Sequence, residues 1–368
     1  MNGAGTAGAP ALAAGSDGAV RPTARERRGR RLVWAAAVLA ILALLLGVMI
    51  GPVRLGVGDV VRGLAGALAL ADASELGFKA QVLQSVRLPR VVLAAAAGAA
   101  LSVSGAVMQG MFRNPLADPG LIGVSAGGAL AAVAVIVLGP GLLAGFGGLA
   151  LPIAAFLGSL LTTGLIYRVS LFDGRVVIPT MLLSGVAANA LAGAMIGYLT
   201  FLSDEQQLRL LTFWTLGSVG AASWQSSLPA IIVMLVATML ALRLARPLNA
   251  LLLGEDAAMH LGVEVATLKR RCVVLTALAV GAAVSACGIV GFLGLVTPHL
   301  VRLLTGPDHR FVLPASALVG AALMLAADLI ARTTVSPAEL PLGVVTALVG
   351  APFLFWLLQR RRGAGSFA

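Results

Sequence analysis

Arg87–Pro119, RLPRVVLAAAAGAALSVSGAVMQGMFRNPLADP, is the stretch that decides the fold. It is an apolar run entered through two arginines and left through a polar turn that Pro115 and Pro119 break. A helix of about 20 apolar residues, rising 1.5 Å per residue, spans the roughly 30 Å hydrocarbon core of a bilayer. Arg87 and Arg90 lie three apart and so share one helix face. A cation at a helix N-terminus opposes the macrodipole by about 0.3–1 kcal/mol, so their placement calls for compensation. Two sources are open: an acidic partner at the outer face, or lipid headgroups reached by snorkelling side chains.

The rest of the chain repeats this pattern. Of 368 residues, 59% are hydrophobic and 11% charged, and the mean hydropathy is +0.99. One soluble core cannot bury that much apolar surface, so the chain is a polytopic membrane helix bundle, all-α in class. Ten spans are predicted, near 32–50, 88–109, 119–138, 148–168, 179–200, 227–245, 270–287, 289–304, 312–331 and 341–358. With the N-terminus inside, tails and inner loops hold 19 of the 26 Lys and Arg, which sets both termini in the cytoplasm. Residues 1–31, rich in Gly, Ala and Arg, read as a disordered basic tail, 32–362 as the transmembrane domain, and 363–368 as a C-terminal tail. A signal peptide over 21–50 fits less well, because the apolar run is membrane length and no small-x-small cleavage site follows.

Several chemistries find no footing. The net charge of +11 is dispersed among spans rather than gathered on one domain, which argues against nucleic acid. No G-x-x-x-x-G-K-[ST] occurs, so ATP hydrolysis would belong to a partner. His260, His299 and His309 lack metal-ligand spacing, and neither G-x-S-x-G nor H-E-x-x-H is present; no metal site and no enzyme are expected. Cys272 and Cys287 fall about 22 Å apart on one helix, too far to bond to each other. Asp328, inside the ninth span, reads either as a proton relay or as the structural partner of Arg332 one helical turn on. Gln109, Asn114 and Asn189 suit helix-end and interhelical hydrogen bonds.

Two long polar interruptions remain. Thr200–Ser227 lies outside and carries Trp214 and Trp224, suited to the membrane interface. Arg246–Arg271 lies inside and holds a short amphipathic stretch, with Leu251, Leu252, Ala258 and Leu261 on one face and Glu255 and Asp256 on another. Such a helix suits docking into a groove on another protein; acidic residues disfavour the alternative of lying flat on anionic lipid. Gly123/Gly127 and Gly193/Gly197 have the spacing that lets helix backbones approach closely, and prolines near or within the spans imply broken helices along a path.

Several motifs together carry a family resemblance: RLPR at 87–90, SGAVMQG at 104–110, RNPLADPGLIGVSAGG at 113–128, LLSGVAANA at 182–190, WTLGS at 214–218, GFLGLVTPHLVRLLTGPDHR at 291–310 and the segment from ADLIART at 327 to 358. Over about residues 32–360 the chain resembles the permease subunit of iron-siderophore and vitamin B12 ABC importers, a type II importer fold. The resemblance implies a dimer with a second permease, two cytoplasmic ATPase subunits that bind ATP and Mg, and an extracytoplasmic substrate-binding protein, all at a bacterial inner membrane. It implies no cofactor in this chain. It gives Arg87, Arg90 and Arg332 a role in docking the binding protein through charge-assisted pairs. It likens 249–263 to a coupling helix, through Gly254, Glu255, Ala258 and Gly262, and Ile178 and Pro179 to the cytoplasmic gate. The expected cargo is a ferric siderophore, with vitamin B12 or haem as alternatives. A proton-coupled transporter using Asp328 is the competing class.

Overall fold

The computed structural model describes residues 24–363 apart from 52, 54, 68–76, 140–143 and 336. In chain order the helices are α1 (Ala24–Met49), α2 (Val57–Ala67), α3 (Phe78–Val82), α4 (Leu88–Phe112), α5 (Val124–Leu138), α6 (Ala150–Val169), α7 (Ile178–Leu202), α8 (Glu205–Leu216), α9 (Trp224–Leu242), α10 (Ala245–Leu251), α11 (Glu255–His260), α12 (Val265–Cys287), α13 (Leu293–Thr305), α14 (His309–Thr333) and α15 (Leu342–Gly363). Seven helical runs are long and apolar enough to cross a membrane, counting Phe78–Phe112 as one, and Val124–Leu138, Leu293–Thr305 and Leu342–Trp356 are shorter apolar helices. Strands β1 (Leu171–Phe172) and β2 (Arg175–Val176) form a two-residue hairpin. Its turn residues, Asp173 and Gly174, both take positive φ, the Asp-Gly signature of a tight hairpin.

Helix α4 is the axis of the bundle. Of its 25 residues 21 are buried, and it packs on α9, α12, α13 and α14. Small side chains make this possible. A methyl at Gly98 would overlap the Gly320 carbonyl of α14, and one at Gly105 would overlap the Gly294 carbonyl of α13. Gly127 likewise lies against Gly158 of α6, whereas Gly193 and Gly197 of α7 face open space. One of the two expected glycine pairs therefore makes a helix contact within the chain. Helix α7 has four buried residues among 25, so its apolar surface is turned outward.

The C-terminus of α4 is a Schellman turn. Arg113 takes the left-handed position (φ 51°), where glycine is usual, while the N–H groups of Arg113 and Asn114 return to the carbonyls of Gly110 and Gln109. The side chain of Asn114 then accepts from Leu116 N–H at 2.9 Å and turns the chain into Pro115.

Three boundaries differ from the sequence expectation. Helix α1 begins at Ala24, inside the stretch read as a disordered tail. Apart from Gly29, residues 24–31 are good helix formers with Glu26 in the first turn, and Glu26 pairs with Arg310 at 3.2 Å. The tail residues 1–23 and 364–368 lie outside the described residues. The run expected to start at 88 is helical from Phe78, through a π-turn at Leu83–Arg87 that leads into α4. This wide turn directs the Gln84 carbonyl toward Trp224, whose Nε1 donates to it at 2.8 Å. Helix α8 stands within the outer polar interruption, started by a capping box between Asp204 and Gln207.

The close approaches give a test. Gly105→Val should lower the melting temperature of the purified chain in detergent by the equivalent of about 1–3 kcal/mol or more. Gly193→Ala, which meets nothing within 4 Å, should leave it unchanged or raise it.

Candidate functional site

At one end of the bundle three guanidiniums converge. Arg90 donates through Nε and Nη2 to Asp328 Oδ1 at 3.0 and 2.8 Å, and through Nη1 and Nη2 to Glu339 at 2.7 and 2.9 Å. The second oxygen of Asp328 faces Arg332 Nε at 3.5 Å. Arg332 Nη2 donates to the Gly47 carbonyl at 2.6 Å. Arg87 donates to the carbonyls of Val48, Ile50 and Val53 at 3.0, 2.5 and 2.7 Å. All three arginines are buried, as is Asp328; Glu339, on the link between α14 and α15, is 39% exposed at its side chain.

The charge at this end has a physical account. Because the helix runs from Phe78, Arg87 and Arg90 are not at a free N-terminus, and the dipole penalty expected from the sequence does not arise. Arg87 and Arg332 sit instead at the C-terminal end of α1, whose last carbonyls have no intrahelical donors. Two carboxylates and those carbonyls compensate three cations. Asp328 is thus a structural partner, held between Arg90 and Arg332, rather than the lone carboxylate that a proton relay suggests. In the structure the guanidiniums of Arg87, Arg90 and Arg332 are buried and bond groups of the same chain.

At the opposite end, α10, α11 and the start of α12 form a compact excursion. The segment breaks at Gly254 (φ 111°) and turns again at Gly262 (φ 82°). Glu255 pairs with Lys269 of α12 at 2.7 Å, and Lys269 Nζ also donates to the Val176 carbonyl of β2 at 3.3 Å. Leu251 and Ala258 are fully buried within the chain. Leu252 and Leu261, expected on one face with these two, are exposed: Leu252 is one residue, about 100° of helix, on from Leu251, and Leu261 lies beyond the break at Gly254. The exposed apolar group here is Leu253, Met259 and Leu261, which are 69%, 48% and 63% exposed; sequence reasoning named Leu261 and missed Leu253 and Met259.

A cleft of about 760 Å³ lies beside this excursion, lined by Arg113, Arg175, Ile178, Pro179, Glu255 and Lys269 among others. It brings the two gate residues and one of the four coupling residues to a single place. Behind α10, Asp308 caps α14 through Arg310 N–H at 2.9 Å. Burial pushes its carboxyl up, but hydrogen bonds from Arg310 and Asn249 outweigh this and hold it below the usual range. Gln109 Nε2 donates to the Leu295 carbonyl at 3.2 Å and Asn189 Nδ2 to the Gly120 carbonyl at 3.2 Å, the interhelical roles expected of them. Among the described residues, no cluster of His, Cys, Asp and Glu is placed to hold a metal ion.

Comparison with known proteins follows the same outline. A family model described as the FecCD transport family matches residues 39–360. The hemin transport system permease protein HmuU of Yersinia pestis is 48% identical, over 76% of this chain and 83% of its own. The cobalamin import system permease protein BtuC of Halobacterium salinarum is 38% identical, over 92% and 98%. A solved structure described as an inward-facing conformation of a metal-chelate type ABC transporter superposes with a TM-score of 0.78 at 32% identity, covering 90% of this chain and 99% of that one.

The buried network predicts unequal costs. Arg90→Ala removes both hydrogen bonds to Asp328 Oδ1 and leaves the buried carboxylate only Arg332 at 3.5 Å, and should destabilise the chain by about 3–5 kcal/mol. Glu339→Gln, at a part-exposed pair, should cost about 1 kcal/mol or less. Thermal melting in detergent separates the two, and equal small shifts would contradict the assigned network.

Proposed function

The chain belongs to the FecCD transport family of ABC importer permeases, and within that family we propose that it carries a metal chelate, haem first. The 48% identity to a hemin permease supports haem over the ferric siderophore expected from the motifs, and over vitamin B12, whose permeases are similar at 37–39%. A lining of Ala, Gly, Leu and Val passes a large chelate without holding it, leaving affinity to a binding protein.

The observation that carries the transport reading is the α10–α11 excursion. It exposes Leu253, Met259 and Leu261 beside charged Glu255 and Asp256 on a short segment braced from behind by buried Leu248, Leu251 and Ala258. Exposed apolar side chains on a braced protrusion suit insertion into a groove of a separate protein. We assign that protein as an ATPase subunit, one for each permease of a dimer, binding ATP and Mg that this chain does not bind. ATP-driven closure of the pair would move the excursion and open the adjacent cleft at Ile178 and Pro179, the cargo exit in this reading. The arginine end then faces outward, toward the binding protein. Arg90 would meet a carboxylate of that protein by exchanging it for Glu339, the half-exposed member of the network, with Arg87 and Arg332 holding the frame.

Uptake tests the cargo and the energy source together. A deletion strain carrying this chain should accumulate labelled haem above the strain without it, and lose uptake when the ATPase is inactivated. Accumulation of ferric siderophore or B12 instead reassigns the cargo, and uptake that survives ATPase loss but collapses with an uncoupler favours a proton-coupled transporter. Gly262→Arg should abolish co-purification of the ATPase subunit; normal co-purification would remove the excursion from that interface.

A further inference from the structure

Asn249 makes every side-chain hydrogen bond that joins α10 to the bundle among the described residues. Its Nδ2 donates to Asp308 Oδ1 at 2.7 Å. Its Oδ1 accepts from the His309 backbone N–H at 2.8 Å and from His309 Nδ1 at 2.9 Å. A carboxylate only accepts and a backbone N–H only donates, so both ends of the amide are fixed in orientation. His309 therefore carries its proton on Nδ1, and its Nε2 is left to accept from Arg302 Nη2 at 3.4 Å. Arg302 also donates to Gln109 Oε1 and, at 3.1 Å, to the Ala106 carbonyl. The polar contacts thus run without a gap from α10 to the first turn of α14, then to α13, then to α4.

The rest of the α10 interface is apolar, through Leu248 and Leu251. Apolar packing resists separation but is non-directional, whereas three hydrogen bonds on one amide fix angle and register. Resting on the ATPase-driven reading above, we propose that Asn249 is the positioning residue that transmits movement of the α10–α11 excursion to α14, α13 and α4. It touches no cargo and no nucleotide. Its function is to make the partner-facing segment and the axis of the bundle turn as one body.

The experiment uses the whole transporter, with ATPase subunits and binding protein, in lipid vesicles. Asn249→Asp removes the Nδ2 donor and sets a second carboxylate against Asp308. Cargo moved per ATP hydrolysed should fall by about tenfold, the effect of losing one or two buried hydrogen bonds, while the ATPase subunit co-purifies in normal amount. Asn249→Asp combined with Asp308→Asn exchanges donor and acceptor: the carboxylate at 249 still accepts both His309 protons and the amide nitrogen at 308 donates to it, but that nitrogen replaces the Oδ1 that also caps α14, so the cap passes to the other side-chain oxygen. Coupling should return to within about threefold of the parent. Asn249→Ala, which adds no charge, replaces the single Asp variant if that one does not assemble, and should show the same loss. Normal coupling in the Ala variant, a double variant that regains its melting temperature but not its coupling, or loss of ATPase attachment in both single variants overturns the joint. In all three cases the parent still shows ATP-driven uptake; failure of that uptake would instead overturn the proposed function.

Discussion

A single buried carboxylate, Asp328, lies between the guanidiniums of Arg90 and Arg332, and this contact fixes how the long helices meet. Burying one unpaired charge costs several kcal/mol, so each member requires the others. Through Arg87 and Arg332 the cluster also captures the carbonyl end of α1, and through Glu339 the link to α15. Four chain segments are thereby pinned at one end of the bundle. From there α4 and α14 run side by side for 25 residues each, roughly 37 Å at 1.5 Å per residue, too closely packed at Gly98 and Gly320 to slide.

The far end is built differently. Helices α10 and α11 are short, separated by a glycine break, and attached by a few directed contacts: Glu255 to Lys269, and Asn249 to the start of α14. A bundle clamped at one end and fitted at the other with a small protruding lever suits a protein worked by a partner. The chain needs no nucleotide site of its own for such a task. What it needs is stiffness between lever and axis, and the Asn249–His309–Arg302–Gln109 chain supplies that stiffness in directed bonds.

Much of this was legible in the sequence, and the remainder follows a pattern. The apolar runs marked the membrane class, because span length is set by bilayer thickness and needs no tertiary information. The pairing of Asp328 with Arg332 was visible as an i,i+4 relation; its stronger bond to Arg90, 238 residues away, was not, since nothing local encodes it. The capping box of α8 and the Asp173–Gly174 hairpin were readable signals that hydropathy overshadowed. Burial of Arg87 and Arg90 escaped notice because Lys79, Gln81, Gln84 and Ser85 interrupt the apolar pattern and hide the true start of the helix at Phe78. Of the four apolar residues expected on one docking face, Leu252 and Leu261 are exposed while Leu251 and Ala258 are buried, because Leu251 and Leu252 are adjacent and so about 100° apart, and Gly254 divides the stretch into two short helices.

The π-turn at Leu83–Arg87 carries a consequence for insertion and deletion. Such a turn holds one residue more than an α-helical turn, so everything before it is rotated by about 100° relative to an uninterrupted helix. Deleting one residue there would restore regular winding, swing Lys79 away from Asp59 and withdraw the Gln84 carbonyl from Trp224, while the arginines downstream kept their places. The length of this short stretch, more than its composition, therefore sets how the segment before the arginines is aimed.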